Sequence, residues 1–238
     1  MQQLPKEFIG RMVRTVLFIG LVAACCAGVA TFGMLVASKF NLTTSRNQVP
    51  LTSVKIEGEK VLIPENGKTT REAGWTLRNS RGQYILTLDE MEAGSLDTKE
   101  PVIEVEGDLI LQLKKDTVSH LESQGPVIKK GTGTLTIRGE GSLELESANA
   151  EAICSDWNGE ELDADHPSAV RLEAGDMNFT GADFGIVDET VELAGAQGTI
   201  EAASASGAAV KTAHIKREGS NSDKLELIGN KAVVVPES

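Results

Sequence analysis

The segment from Val102 to Ser147 contains the same pattern of apolar and polar positions twice. The apolar pair Val102-Ile103 returns 25 residues later as Val127-Ile128, and a glycine-containing turn follows each pair. Apolar residues at alternate positions come next: Leu109, Leu111 and Leu113 in the first copy, Leu135 and Ile137 in the second. A period of two places such side chains on one face of a strand. The pattern therefore predicts β-strands with a single buried face.

The same opening recurs further along the chain, at Ala152-Ile153, Gly185-Ile186 and Ala209-Val210. The three intervals that lead to these openings are 25, 33 and 24 residues. The unit that begins at Ile153 therefore carries an insertion of roughly eight or nine residues. The polar run from Ser155 to Pro167, SDWNGEELDADHP, is its expected location.

Short strands that return at one interval, with glycine-rich corners between them, leave no room for crossover helices. A unit of this size cannot bury its inner face alone, so successive units must stack. We predict a mainly β fold, a single-stranded right-handed parallel β-helix with three strands per rung. About seven rungs would form a rod roughly 30 to 35 Å long. A four-cornered or two-sheeted solenoid is the alternative, and a Greek-key sandwich fits less well because its strands do not repeat at a fixed interval.

The two ends of the repeat region differ from its middle. Leu51 to Arg81 departs from the repeating pattern, as the terminal unit of a solenoid does when it covers an open edge. We interpret it as an N-terminal cap, with the regular rungs beginning at Tyr84–Leu88. The rungs are expected to end at Val233–Pro236, because proline cannot donate to a further strand.

The N-terminal segment has the pattern of a membrane anchor. Residues 1–14 are polar with three basic side chains, and Thr15–Ala37 contains no charged residue. Twenty-three helical residues cover about 34 Å, enough to span a bilayer. The upstream basic residues favour a cytoplasmic N-terminus. We therefore expect a single-pass signal anchor in the cell membrane at 15–37, a tether at 38–50, and an extracytoplasmic β-helix domain at 51–238.

Two other interpretations of the N-terminal segment stay open. Val22–Cys25 resembles a lipobox, in which Cys25 would be lipidated, and Val36–Ser38 offers small residues for signal-peptide cleavage. All three interpretations place the repeat domain outside the cytoplasm.

Charge and cysteine usage narrow the functional classes. Only one of the 35 acidic residues but five of the 23 Lys and Arg residues precede Asn47, so the remaining chain has a formal charge of −16. Nucleic acid is therefore not an expected partner. Cys154 stands alone in this region, without the sequence signature of a catalytic cysteine, and is predicted to be a small core residue rather than a nucleophile.

The polar insertion holds the candidate ligand-binding residues. An indole at Trp157 on an acidic loop could stack on a sugar ring, with Asn158 and His166 beside it as polar contacts for sugar hydroxyls. The alternative is that Trp157 folds back and covers a rung.

The same insertion is the candidate metal site. Calcium prefers oxygen ligands, and the loop offers five carboxylates in a short span, at Asp156, Glu160, Glu161, Asp163 and Asp165. The predicted ligands are Asp156, Glu160, Asp163 and Asp165. Asp183 and the Asp188-Glu189 pair could add ligands if they line the same edge. The alternative is a solvated charge run without a metal. The three histidines form neither a zinc set nor a triad, and no acid–base constellation stands out, so we do not predict an enzyme.

Three segments of the chain resemble sequences of a known protein family: PVIEVEGDLILQLKKDTVSHL from Pro101, GPVIKKGTGTLTIRGEGSLEL from Gly125 and GIVDETVEL from Gly185. The resemblance is to bacterial surface proteins labelled as carbohydrate-binding domain proteins. That family has a right-handed parallel β-helix, and its founding type binds calcium and acidic plant polysaccharide. The resemblance implies a glycan-binding β-helix.

Two functions from different classes follow. The first is a membrane-anchored, non-catalytic protein that binds a polysaccharide or cell-wall glycan, with calcium as its cofactor. The second is a structural or assembly component of the envelope, with a protein partner along the solenoid and no glycan ligand. A β-helical polysaccharide lyase would need a cationic base, for which only Arg171 and Lys211 are near suitable strands.

Overall fold

A computed structural model describes residues 48–160, 168–194, 198–204, 209–217, 225–228 and 232–234 of the chain. The predicted membrane span at 15–37 lies outside these residues. Among the residues that are described, there is no helix with the length and hydropathy needed to cross a membrane.

The strands form three sheets, here named A, B and C, which the chain visits in turn. Sheet A contains β1 (Ser53–Ile56), β2 (Glu59–Lys60), β7 (Ile103–Glu106), β10 (Ile128–Lys130), β13 (Ile153–Ser155), β16 (Ile186–Val187), β19 (Val210–Thr212) and β22 (Ala232–Val234). Sheet B contains β3 (Thr69–Glu72), β4 (Trp75–Ser80), β5 (Gln83–Leu88), β8 (Leu109–Leu113), β11 (Gly133–Gly139), β14 (Ser168–Leu172), β17 (Thr190–Leu193) and β20 (His214–Arg217). Sheet C contains β6 (Glu92–Ser95), β9 (Val118–Ser123), β12 (Ser142–Ser147), β15 (Asp176–Gly181), β18 (Gly198–Ser204) and β21 (Leu225–Ile228).

The described strands from β5 to β22 pair with one another in parallel and form a β-solenoid. Strands β7 to β21 make about five turns of three strands each. The turns are numbered in chain order, from the first turn, β7–β9, to the fifth turn, β19–β21. This confirms the mainly β solenoid and its three strands per turn. The expected seven rungs were too many, because β5 and β6 before these turns and β22 after them form only incomplete turns among the described residues.

The register confirms the repeat that was read from the sequence. The opening apolar residues of five consecutive units pair with one another across sheet A and are fully buried: Ile103, Ile128, Ile153, Ile186 and Val210. In sheet B, Leu135 pairs with Leu109 on one side and with Val170 on the other. Inward side chains therefore stack on like side chains along the axis, and burial of each such residue contributes about 1.5 to 3 kcal/mol.

Strands β11 and β12 show the predicted alternation of inward and outward side chains. Ile137 and Leu145 are buried in the core, whereas Glu144 between two inward residues of β12 is exposed. Gly139 ends β11 with a φ of 140°, and a side chain there would collide with the Leu113 carbonyl oxygen of the turn below. Glycine is therefore required where the chain turns from sheet B to sheet C.

The first described strands cover the open end of the stack, as predicted for Leu51–Arg81. Strand β1 pairs antiparallel with β7, and the β3–β4–β5 meander continues sheet B in antiparallel fashion. Trp75 and Leu77 of β4 are buried in the same core as the parallel turns. The cap therefore shares the core of the stack and pairs with the first strand edges of sheets A and B.

Candidate functional site

The insertion lies at the corner between sheets A and B of the third turn. Lys130 and Ser155 pair at the ends of β10 and β13, and Gly133 and Ser168 pair near the starts of β11 and β14. The second turn connects these positions with only Gly131 and Thr132, whereas the third turn uses residues 156–167. The register therefore confirms where the sequence intervals placed the insertion.

The first five residues of the insertion, 156–160, form a compact turn. Asp156, Asn158 and Glu160 are exposed, whereas Trp157 between them is buried. The Trp157 indole Nε1 donates to the Glu160 carbonyl oxygen at 2.7 Å. The Asn158 Oδ1 accepts from the Glu160 backbone N–H at 3.0 Å. Three side chains that carry oxygen acceptors are therefore exposed at alternate positions, and the indole between them is buried.

Burial bears directly on the two alternatives for Trp157. Only 5% of this residue is exposed, and its one donor is satisfied within the insertion. This conformation agrees with an indole that folds back, and a sugar ring would require the indole to turn outward. Stacking on a glycan stays a prediction for Trp157, as does hydrogen bonding for Asn158. His166 lies outside the described residues.

The predicted calcium ligands are divided between described and undescribed residues. Asp156 and Glu160 are both exposed, and Asp156 Oδ1 lies 3.6 Å from the Lys129 ammonium. Asp163 and Asp165 lie outside the described residues. Within the described ranges, no group of three or more His, Cys, Asp or Glu side chains is arranged to hold a metal. The calcium set stays a prediction, and an ion there would compete with Lys129 for Asp156.

The acidic corners that could have extended this site point elsewhere. Asp188 and Glu189 lie between β16 and β17, at the same A–B corner as the insertion, but both are buried. Asp183 is exposed, but it lies between β15 and β16, at the corner between sheets C and A. None of the three therefore supplies an exposed carboxylate at the insertion edge.

A buried polar network lies beneath the insertion. Val105 of the first turn pairs with Lys130, and Lys130 pairs with Ser155. Asp188 and Thr212 follow in the next two turns, each one residue beyond a registered pair. The inward column is thus apolar in the first turn and polar in the next four. The 25-residue register aligns Lys130 with buried Val105, and that alignment was the sequence signal for an inward lysine.

Short contacts connect the members of this network. The Lys130 Nζ lies 2.8 Å from Asp188 Oδ2 and donates to Ser168 Oγ at 2.5 Å. The Ser168 hydroxyl donates to Asp188 Oδ1 at 2.6 Å, and the Glu189 backbone N–H donates to the same oxygen at 2.7 Å. Ser168 N–H donates to Glu189 Oε2 at 3.3 Å. Because Ser168 is the first residue of β14, this network fixes the point where the insertion rejoins the solenoid.

Two other side chains that could take part in catalysis, those of Arg171 and Cys154, lie in the outer layer of the solenoid. Arg171 on sheet B forms ion pairs with Glu173 at 3.0 Å and with Glu192 at 3.1 Å. Cys154 lies in register between Lys129 and Val187 on the outer side of sheet A. It was predicted to be a core residue, but it does not belong to the core cluster. Burial, with a smaller contribution from Glu151, raises the pKa of the Cys154 thiol to about 12. The thiol is therefore protonated at neutral pH and is a poor nucleophile.

The fold and this corner define a parallel β-solenoid with a long insertion at the A–B corner of the third turn and buried polar side chains beneath it. No protein-family model matches the chain, and no match was found among the curated proteins or the solved structures.

Proposed function

We propose that this protein is a membrane-anchored, extracytoplasmic, non-catalytic carbohydrate-binding β-helix whose glycan site is the insertion at the A–B corner of the third turn. The observation that carries this proposal is the insertion itself. It interrupts a regular stack at one corner, and its first residues expose Asp156, Asn158 and Glu160 at alternate positions. Exposed carboxylates and amides are the groups that accept hydrogen bonds from sugar hydroxyls.

The environments of the reactive groups support binding rather than catalysis. The Lys130, Ser168 and Asp188 side chains are closed to a polymeric substrate, because all three are buried. Arg171, the arginine that a lyase mechanism would need, is engaged by two carboxylates. The Cys154 thiol is kept neutral by burial.

Calcium would remove the electrostatic repulsion between this acidic domain and an acidic polysaccharide. A domain with a formal charge of −16 repels an acidic polysaccharide. A divalent ion held by Asp156, Glu160, Asp163 and Asp165 would reverse the local sign and bridge to uronate carboxylates. Trp157, Asn158 and His166 would then contact the sugar.

The binding test is a calorimetric titration of the purified protein with polygalacturonate in calcium. We expect binding that is abolished by excess chelator and lost in Asp163→Ala/Asp165→Ala, with the circular dichroism spectrum unchanged. The matched control is Glu144→Ala/Asp183→Ala, which removes two exposed carboxylates elsewhere and should bind like wild type. Undiminished binding in chelator would exclude the calcium bridge.

The membrane anchor is tested separately, by protease treatment of intact spheroplasts. The full-length protein should sit in the membrane fraction, and added protease should digest the part beyond Lys39. A mature form that begins at Cys25 or at Lys39 would contradict the signal anchor.

The second candidate, a structural or assembly component of the envelope, is favoured by the burial of Trp157 and by its internal hydrogen bond. In that case the insertion is a packed structural element and a protein partner docks along the solenoid. Absence of binding to every member of a glycan array, with calcium present, would support this candidate over the first.

A further inference from the structure

The buried pair of Lys130 and Asp188 has an unusual arrangement for an ion pair. Both side chains are at most 1% exposed, and Nζ lies 2.8 Å from Oδ2. The angles at these atoms are not those of a hydrogen bond, so Oδ2 has no hydrogen-bond partner among the described residues. A buried ion pair is stable when hydrogen bonds satisfy its remaining lone pairs. At Oδ2, an amine nitrogen is close but is not positioned as a donor.

The other carboxylate oxygen of Asp188 has the opposite environment. Two donors converge on Oδ1, the Glu189 backbone N–H at 2.7 Å and the Ser168 hydroxyl at 2.6 Å. Two preorganised donors on one oxygen stabilise the negative charge that develops when a nucleophile attacks the adjacent carbon. Oδ1 is therefore held by two hydrogen bonds, whereas Oδ2 has no hydrogen-bond partner among the described residues and can depart as the leaving group.

The solenoid holds the two reacting groups together and excludes water. Lys130 ends β10 in the second turn, and Asp188 follows β16 in the fourth, so the pair spans the turn that carries the insertion. Ser155, the intervening residue of the column, is small enough to let the lysine reach across. Groups held in contact by a rigid scaffold react as if their concentration were about 10⁵ M or more. Because both side chains are at most 1% exposed, bulk water has little access to the amide, which favours condensation over hydrolysis.

We propose that Lys130 and Asp188 condense to an intramolecular isopeptide bond between Nζ and Cγ. When the Lys130 ammonium rotates so that one N–H points at Oδ2, it transfers a proton to that oxygen, and the neutral amine then attacks Cγ. Charge then develops on Oδ1, where the Ser168 hydroxyl and the Glu189 N–H stabilise it. A second proton passes from nitrogen to Oδ2, the Cγ–Oδ2 bond breaks, and one water molecule leaves. The ammonium and carboxylate become an amide and water, with no oxidant or external group required.

This bond would join the second and fourth turns and enclose the third turn together with its insertion. A covalent closure of this kind stabilises a fold by restricting the unfolded chain. It would fix the base of the insertion whether or not the insertion binds a glycan, so the proposal stands independently of the proposed function.

The decisive measurement is a peptide map of the denatured full-length protein by trypsin and mass spectrometry. A cross-linked Lys130 is not a tryptic site. We expect residues 130–138 to be recovered joined to residues 172–211, with a mass lower than the sum of the two peptides by one water molecule. Separate recovery of residues 131–138 and 172–211, with free Lys130 and unmodified Asp188, would overturn the proposal and leave a simple ion pair.

Matched variants test the assignment of the two residues. The joined peptide should disappear in Lys130→Arg and in Asp188→Ala, and it should persist in Lys129→Arg, which changes the exposed neighbour. A water loss that persists in Lys130→Arg would overturn the assignment. The wild-type map decides the question by itself, so the test does not depend on the folding of any variant.

Discussion

In the second turn of the solenoid the corner between sheets A and B contains two residues, Gly131 and Thr132, whereas in the third turn the same corner contains residues 156–167. The strands on both sides of the two corners are in register. The stack therefore needs no more than two residues at this position, and the additional ones in the third turn are not required to close the turn. A difference of this kind separates the scaffold from the part of the chain that is free to carry a function.

The interior of the solenoid changes at a different place, between the first turn and the turns that follow. The column holds buried Val105 in the first turn, whereas from the second turn onward it holds buried Lys130, half-buried Ser155, and buried Asp188 and Thr212. Apolar stacking stabilises the regular turns. The apolar core continues through the third turn at Ile153, Val170 and Phe179, and the polar network adds contacts between the turns on both sides of the insertion.

The largest expected effect comes from a charge in the apolar stack. Ile137→Asp places an unpaired carboxylate in the core of the second turn and should lower the free energy of unfolding by about 5 kcal/mol. Urea unfolding followed by circular dichroism measures the change. A loss no greater than that of a surface variant would show that the inward register of β11 is wrong.

A somewhat smaller loss is expected when the polar network of the third turn is broken. Lys130→Met leaves Asp188 buried without its cation and should cost about 3 to 5 kcal/mol. The double variant Lys130→Met/Asp188→Leu also removes the unpaired carboxylate and should regain part of that stability in the same unfolding experiment, while the contribution of the proposed cross-link stays lost. Equal stability of the single variant and the wild type would contradict a structural role for the pair.

Replacement of the long corner by the short one should have only a small effect on stability. Residues 156–167 are exchanged for Gly-Thr, the corner of the second turn, which preserves the register of Ser155 and Ser168. The free energy of unfolding should change by about 1 kcal/mol or less, because loop length contributes weakly to stability. Loss of the β-sheet circular dichroism signal would show that the insertion is part of the scaffold.

The smallest effect is expected on the outer face of sheet C. Glu144 is exposed on β12, and Glu144→Lys should change the free energy of unfolding by less than about 0.5 kcal/mol. It serves as the surface reference for Ile137→Asp, since both residues belong to the second turn. A loss of several kcal/mol would place Glu144 in a contact that the fold does not contain.

The parts of the fold that were predictable are those that repeat. Ile128 and Ile153 stack because each turn must place an equivalent residue over the one below it, so the interval in sequence is also the register in space. The number of turns was overestimated because the strands at the two ends of the described stack, β5 and β6 and then β22, form incomplete turns. Alternation alone predicts a strand but not whether its turn is complete.

The candidate site was predicted less completely than the fold. The location of the insertion followed from the interval, but the burial of Trp157 depends on the local hydrogen bonds among Trp157, Asn158 and Glu160. The network of Lys130 and Asp188 was missed because its members lie in different turns. Charged residues in a sequence are by default read as exposed, and only the register shows that these point inward.

The central claim is that the insertion binds the ligand and the regular turns carry it. The most direct test is a calorimetric titration of polygalacturonate, in calcium, into the wild type and into the variant with Gly-Thr in place of residues 156–167. The account predicts that the wild type binds and that the folded variant does not. Equal binding by both proteins would contradict it, because the ligand site would then lie on the regular turns.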